Sequence, residues 1–366
     1  MNPSRLWTIA RLELTQRLRA VSWYVLLGVF AVVLVGVTAL SFLAYGAFGS
    51  DAGAGIYSVV VFVTLLLVLL VSPTLSGNSI NGDRDAATLA PVQVTLATTG
   101  EILFGKFVAA WITGLAFAVV AAPFLMIATL AGGVHAGTVV VSLVILVVET
   151  GVIAAVGVAL SGILARPLFS VATTYLVVAA LSIGTVIGFG LVGSAFTSEV
   201  VSKTRSVAYD ADGNPKCTDG SGECWGDADR MVCDQWQTST YSVPRFDRVW
   251  WLLSANPFVI LADASPTHYG SGDSPDDAFG WLKYMVRQTQ LAPDLESVWD
   301  DCDPHNYDVN GNYGDYPTPR EVIDETVPSW FVGLGVQVVL AALLLWWAWS
   351  RTRTPARRLP PGTRIA

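Results

Sequence analysis

The residues able to do chemistry fall into three groups. Four cysteines, Cys217, Cys224, Cys233 and Cys302, share one polar block. An even set in an oxidising compartment reads as two disulfides, with three pairings open. The working expectation joins Cys217 to Cys224 across a Gly-Ser-Gly turn and Cys233 to Cys302 between the halves of the block. A zinc site on Cys302 and His305 has acceptable C-x-x-H spacing but no second C-x-x-C pair, so no metal is expected. The second group is a charged stretch holding Asp83, Arg84, Asp85, Thr88, Glu101 and Lys106. It offers no nucleophile–base pair and suits the docking of a soluble partner better than catalysis. The third is Glu149, alone in a long apolar run. A carboxylate there is costly, so it reads either as a polar or protonation site on a path, or as a neutral acid that fixes helix packing.

Two motifs lead nowhere. Residues 100–106, GEILFGK, fit a nucleotide-binding loop, but Phe107 stands where Ser or Thr must hold magnesium. No strand precedes the loop, and it runs into an apolar helix, so this chain is not expected to bind ATP. The runs 210–214 and 308–312 faintly resemble calcium loops, yet Pro215 and Tyr313 replace the sixth-position glycine. With His135, His268 and His305 as the only histidines and no clustered base, the chain is not expected to be an enzyme.

These groups hang on six apolar stretches, at 22–46, 56–75, 107–131, 138–164, 170–196 and 330–349. A bilayer core about 30 Å thick needs roughly 20 apolar residues per helix. Mean hydropathy is +0.53 and only 14% of residues are charged, well below the roughly 25% of soluble domains. The expectation is an all-α polytopic membrane protein with six transmembrane helices and a disulfide-containing extracytoplasmic domain between helices 5 and 6. Its segments are an amphipathic interfacial helix (1–21), helices 1–5 (22–196) with a cytoplasmic element at 76–106, the external domain (197–328), helix 6 (329–350) and a basic tail (351–366). The first apolar run is too long for a signal peptide and is read as a retained helix.

Charge sets the orientation. With the N-terminus inside, twelve of the 21 Lys and Arg lie on inner segments, and the short outer loops carry none. The block 197–328 holds 23 of the 29 acidic residues and 9 basic ones. The net charge of −8 therefore belongs to the outside, and the inner face is basic. In the N-terminal helix, Trp7, Ala10, Leu14, Leu18 and Val21 form an apolar stripe suited to the leaflet interface. The aromatic stretch 249–264 is expected at or dipping into the outer interface, anchored by Trp250 and Trp251. A loose cap at Thr99 and Gly100 is expected to open a helix through Glu101.

The stretch 83–106 resembles the signature of the ABC-2 family of ABC-transporter membrane subunits. Asp83, Arg84 and Asp85 match its charged triplet, Thr88, Leu89 and Thr95 its middle, and Glu101, Ile102, Leu103, Gly105 and Lys106 its closing motif. Ala87 and Leu96 depart from the usual Gly and Pro. The Asn-Pro-Phe at 256–258 and the six-span layout extend the likeness. The resemblance implies an exporter permease in a bacterial-type cell membrane, both termini cytoplasmic, forming a path with a second or homologous permease copy. ATP and magnesium would be bound by separate ABC ATPase subunits gripping the 83–101 element. Membrane lipids are the other expected partner, and nucleic acid is not. The competing reading is a membrane-anchored signalling or envelope-assembly protein whose external domain binds a ligand. An ion-coupled carrier is weaker, since no inverted repeat is visible.

Overall fold

The computed structural model describes residues 2–46, 52–86, 97–220, 224, 230–303 and 317–352. Thr88, Leu89, Thr95, His305, the 308–312 run and the basic tail beyond Thr352 lie outside the described residues. The chain is mostly helical. Its helices are α1 (Pro3–Leu18), α2 (Val21–Tyr45), α3 (Ala52–Ser76), α4 (Asn81–Asp85), α5 (Thr99–Leu130), α6 (Ala136–Ile163), α7 (Pro167–Ala195), α8 (Trp251–Ser254), α9 (Pro257–Ala264), α10 (Ala278–Gln288), α11 (Pro319–Glu325) and α12 (Trp330–Thr352). Six of them, α2, α3, α5, α6, α7 and α12, are long and apolar enough to cross a membrane. At 1.5 Å per residue, even the shortest, α12 with 23 residues, exceeds a 30 Å core.

Two compact units divide the described chain. The first comprises Met1–Ile187, Trp251–Val286 and Val327–Ala366, and the second Gly188–Trp250 and Arg287–Thr326. Within the stretch 197–328, residues 251–286 cluster with the helical unit.

In the helical unit, α3 and α6 are the most enclosed spans. Small residues let their backbones approach. Trp23, Phe30 and Phe117 lock α2 onto α5, with ring centroids 5.3 and 5.0 Å apart in edge contacts. Tyr57 and Ser142 share a hydrogen bond of 2.9 Å that joins α3 to α6.

The aromatic stretch packs into the helical unit. Helices α8 and α9 fold back into the bundle, and Pro257, Val259, Ile260, Leu261 and Ala262 are buried. Trp251 stays exposed. Asn256 caps α9 through Phe258 N–H (2.9 Å) and donates from Nδ2 to Ser182 O (2.6 Å) and Thr185 Oγ1 (3.0 Å). Ser182 lies in a π-helical turn, Ala180–Gly184, in the middle of α7. Such a turn disturbs the i−4 ladder and leaves carbonyl groups that accept from outside the helix. On the other side, Gln337 Nε2 donates to Ala255 O (2.9 Å), and the Asp263 carboxylate accepts from Ser329 N (2.7 Å) and Trp330 N (2.9 Å). That places an anion on the first turn of α12, as the helix dipole favours.

The second unit carries a three-stranded sheet that the Ser- and Thr-rich sequence did not announce. Strand β1 (Thr197–Arg205) is central. It pairs antiparallel with β2 (Gln237–Pro244) and parallel with β3 (Glu296–Asp300). Arg205 ends β1 facing Asp300 in the parallel register and grips it through two hydrogen bonds, one of 2.8 Å from Nε. That pairing holds the Asp300 carboxyl below the usual carboxylate range. Arg205 also lies over the Trp236 ring at 5.0 Å. Both expected disulfides are formed, Cys217–Cys224 and Cys233–Cys302, with Cα atoms 5.9 and 6.4 Å apart.

Candidate functional site

At one end of the helical unit, α1, α4 and the start of α5 meet in a charged cluster. Helix α5 begins with a full capping box: Thr98 Oγ1 accepts from Glu101 N (3.3 Å), and Glu101 Oε2 accepts from Thr98 N (2.8 Å). The cap is Thr98, one residue before the expected Thr99–Gly100 pair. It starts the helix eight residues before the apolar run at 107, so Glu101 and Lys106 ride on the same rod as the third span.

Glu101 has a second job. Its Oε1 accepts from the backbone N–H of Asn2 at 2.6 Å, joining the start of α1 to the start of α5. One turn along, Lys106 Nζ lies 2.7 Å from Asp83 Oδ2 and also pairs with Glu13. Three helices thus share one ammonium. Gly105 admits α1 here, since a Cβ would lie 3.1 Å from Leu6 O and 2.9 Å from Ile9 Cγ2. Farther along α1, Arg17 donates to Leu75 O (2.7 Å) at the C-terminal turn of α3, a favourable place for a cation. Burial lowers the Arg17 pKa, and nearby Glu13 opposes that shift.

Helix α4 is pinned from behind. Ser161 Oγ accepts from Ile80 N (2.9 Å) and Asn81 N (3.1 Å) and donates to Asn81 Oδ1 (2.9 Å). The five-residue helix carrying Asp83, Arg84 and Asp85 is therefore fixed to the end of α6.

The expected contact residues separate by exposure. Glu101 and Lys106 are 2% and 3% exposed and fully engaged inside the chain, so they brace the cluster and do not form its outer surface. Asp83 and Arg84 are half-buried, and Asp85 is exposed. The face of α1 that packs on the chain holds buried Ala10 with Leu6, Ile9, Glu13, Leu14 and Arg17 half-buried, while Trp7 and Leu18 are exposed. Glu13 and Ser161 were missed. Glu13 is the one acid in an otherwise basic helix, a signal that it has a specific cation to meet. Ser161 left no sequence signal. Glu149 is fully buried in α6, and among the described residues neither carboxyl oxygen has a hydrogen-bond partner.

Asp83–Lys106 ties α4 to α5, Lys106–Glu13 ties α5 to α1, and Asn81–Ser161 ties α4 to α6. The chain matches no protein-family profile and no curated protein.

Proposed function

We propose that the chain is the membrane subunit of an ATP-driven ABC-2-type transporter, embedded in a bacterial-type cell membrane with both termini in the cytoplasm. The single observation that carries this reading is the Glu13–Lys106–Asp83 junction, which ties α1, α4 and α5 together and would serve as a lever. Its likeness to the family's charged signature gives the lever a motor. Separate ATPase subunits would dock on the surface around Arg84 and Asp85, and their closure on ATP would tilt α5 and α6 together. A second permease copy would complete the path, and export is the direction the family analogy favours.

The test is co-purification with a candidate ABC ATPase, followed by reconstitution of the pair in vesicles. Charge reversal at Arg84 and Asp85 should uncouple ATP hydrolysis from transport while leaving the fold intact. Full coupling in an Arg84→Ala, Asp85→Ala double variant would remove the docking surface from the account. A chain that binds no ATPase would leave the anchored signalling protein as the better reading.

A further inference from the structure

Glu149 is the one Asp, Glu, Lys, Arg or His within the six apolar stretches. It is 0% exposed, and both carboxyl oxygens are buried without a hydrogen-bond partner among the described residues. Among the described residues, the charged groups of the helices packed on α6 are engaged elsewhere or stand at helix ends. Lys106 at the root of α5 is held by Glu13 and Asp83. Asp263 of α9 is spent on the first turn of α12. Arg166 and Arg351 stand at helix ends. The phenols of the flanking helices α3 and α7 are taken, Tyr57 by Ser142 and Tyr175 by Leu70 O. An ionised, unpaired carboxylate in such a place is penalised far beyond what a fold can carry, so the group is held as the neutral acid.

A neutral acid has one O–H to give, and one orphan acceptor sits on the facing helix. Gln337 of α12 is fully buried, and its Oε1 has no partner while its Nε2 holds Ala255 O. Helices α6 and α12 run parallel, with Gly162 against Ala348 and Thr352, and Ala155 and Val156 in one cluster with Ala341 and Leu344. Carrying that register back along both helices brings Gln337 to the level of Glu149. Two unsatisfied polar groups at one depth are a recurrent cost in a single static arrangement. They are a fitting pair for a seam that opens and closes.

We propose that Glu149 is a proton-exchange site on the seam between α6 and α12. It is neutral while the seam is sealed and gives its proton to water when the seam admits it. Protonation does not depend on the transporter reading; the seam's opening as part of a transport cycle does rest on it.

Infrared spectroscopy of the purified chain in phosphatidylcholine vesicles reads both steps without any ATPase. The expected result at pH 7 is a carboxylic-acid C=O band that is lost in Glu149→Gln and that shifts in heavy water as O–H becomes O–D. Isotopic labelling of glutamate alone should move the same band in the unsubstituted chain, which keeps the test valid if the variant does not fold. Absence of the band, or its persistence in Glu149→Gln, overturns protonation at this site. A band that never shifts in heavy water overturns exchange and leaves a sealed structural acid. Failure of the transporter reading would show separately, as absence of ATPase binding.

Discussion

Asn256 Nδ2 lies 2.6 Å from the carbonyl oxygen of Ser182, joining residues 74 apart in sequence. One side chain thereby caps the folded-back helix α9 and fills the acceptor opened by the π-turn of α7. Asn256→Asp should keep the cap, because its oxygen still accepts from Phe258 N–H, yet lose both donated bonds and set a carboxylate against a carbonyl. Asn256→Asp should therefore destabilise more than Asn256→Ser, which loses about 1–3 kcal/mol. Thermal unfolding in detergent ranks the two, and equal losses would show that only the cap matters.

Lys106 faces two acids, so its removal costs more than a lost pair. Lys106→Met leaves Glu13 and Asp83 repelling each other where the side chains are 17% and 35% exposed. A destabilisation of about 3 kcal/mol is expected, at the low end for a broken buried pair because Asp83 is partly solvated. Adding Glu13→Gln and Asp83→Asn should recover most of it. A double-mutant cycle on melting temperature checks the coupling.

Backbone approach sets a third expectation. A Cβ at Gly333 would lie 1.7 Å from the Ser254 carbonyl oxygen, whereas one at Gly28 meets nothing within 4 Å. Gly333→Ala should push α8 off α12 and cost about 3 kcal/mol or more. Gly28→Ala should be neutral or slightly stabilising, by helix propensity. Expression and melting of the two variants side by side give the comparison.

The pH dependence has a sign that opposes ordinary acid denaturation. Burial pushes the Asp277 carboxyl up to about 6, against the pull of the Gly280 N–H and of Lys283. A carboxyl that binds its proton more tightly when folded contributes stability below the unfolded value of about 4, and that contribution is lost as pH rises through 6. Asp277→Asn keeps an oxygen for Gly280 N–H. It should stabilise the chain by about 2–3 kcal/mol at pH 7 and by almost nothing at pH 4. Denaturation at the two pH values decides it.

The two disulfides should differ in weight. Cys233–Cys302 closes 69 residues and Cys217–Cys224 only 7. Loop-closure entropy gives about 4 kcal/mol for the first and about 2 for the second. Double Ser replacement of each pair, followed by unfolding of the second unit, tests the order.

Much of this was legible beforehand because it rests on local sums. Each apolar run is long enough that no soluble fold could cover it, so six spans emerge within a few residues of their expected ends. The main departure is α5, where Thr98 and Glu101 extend a helix that hydropathy starts at 107. The charged signature points to a cluster that does assemble, but it could not say which members face outward. Glu101 and Lys106 turned inward because α1 lies across α5 at Gly105, a crossing that no periodicity encodes. The sheet of the second unit stayed hidden because its strands are Ser- and Thr-rich, with only Val200 of β1 buried, leaving no alternation to read.

Alone, the amino-acid order determined the membrane class, the helical spans and the cysteine set, since these follow from length, hydropathy and parity. Only the tertiary structure decided which distant groups meet: Glu13 with Lys106, Asn256 with Ser182, Asp263 with the first turn of α12. The reason is geometric. Such contacts depend on how helices cross and on the rotation of each about its own axis, and a few tens of degrees exchange a buried partner for an exposed one.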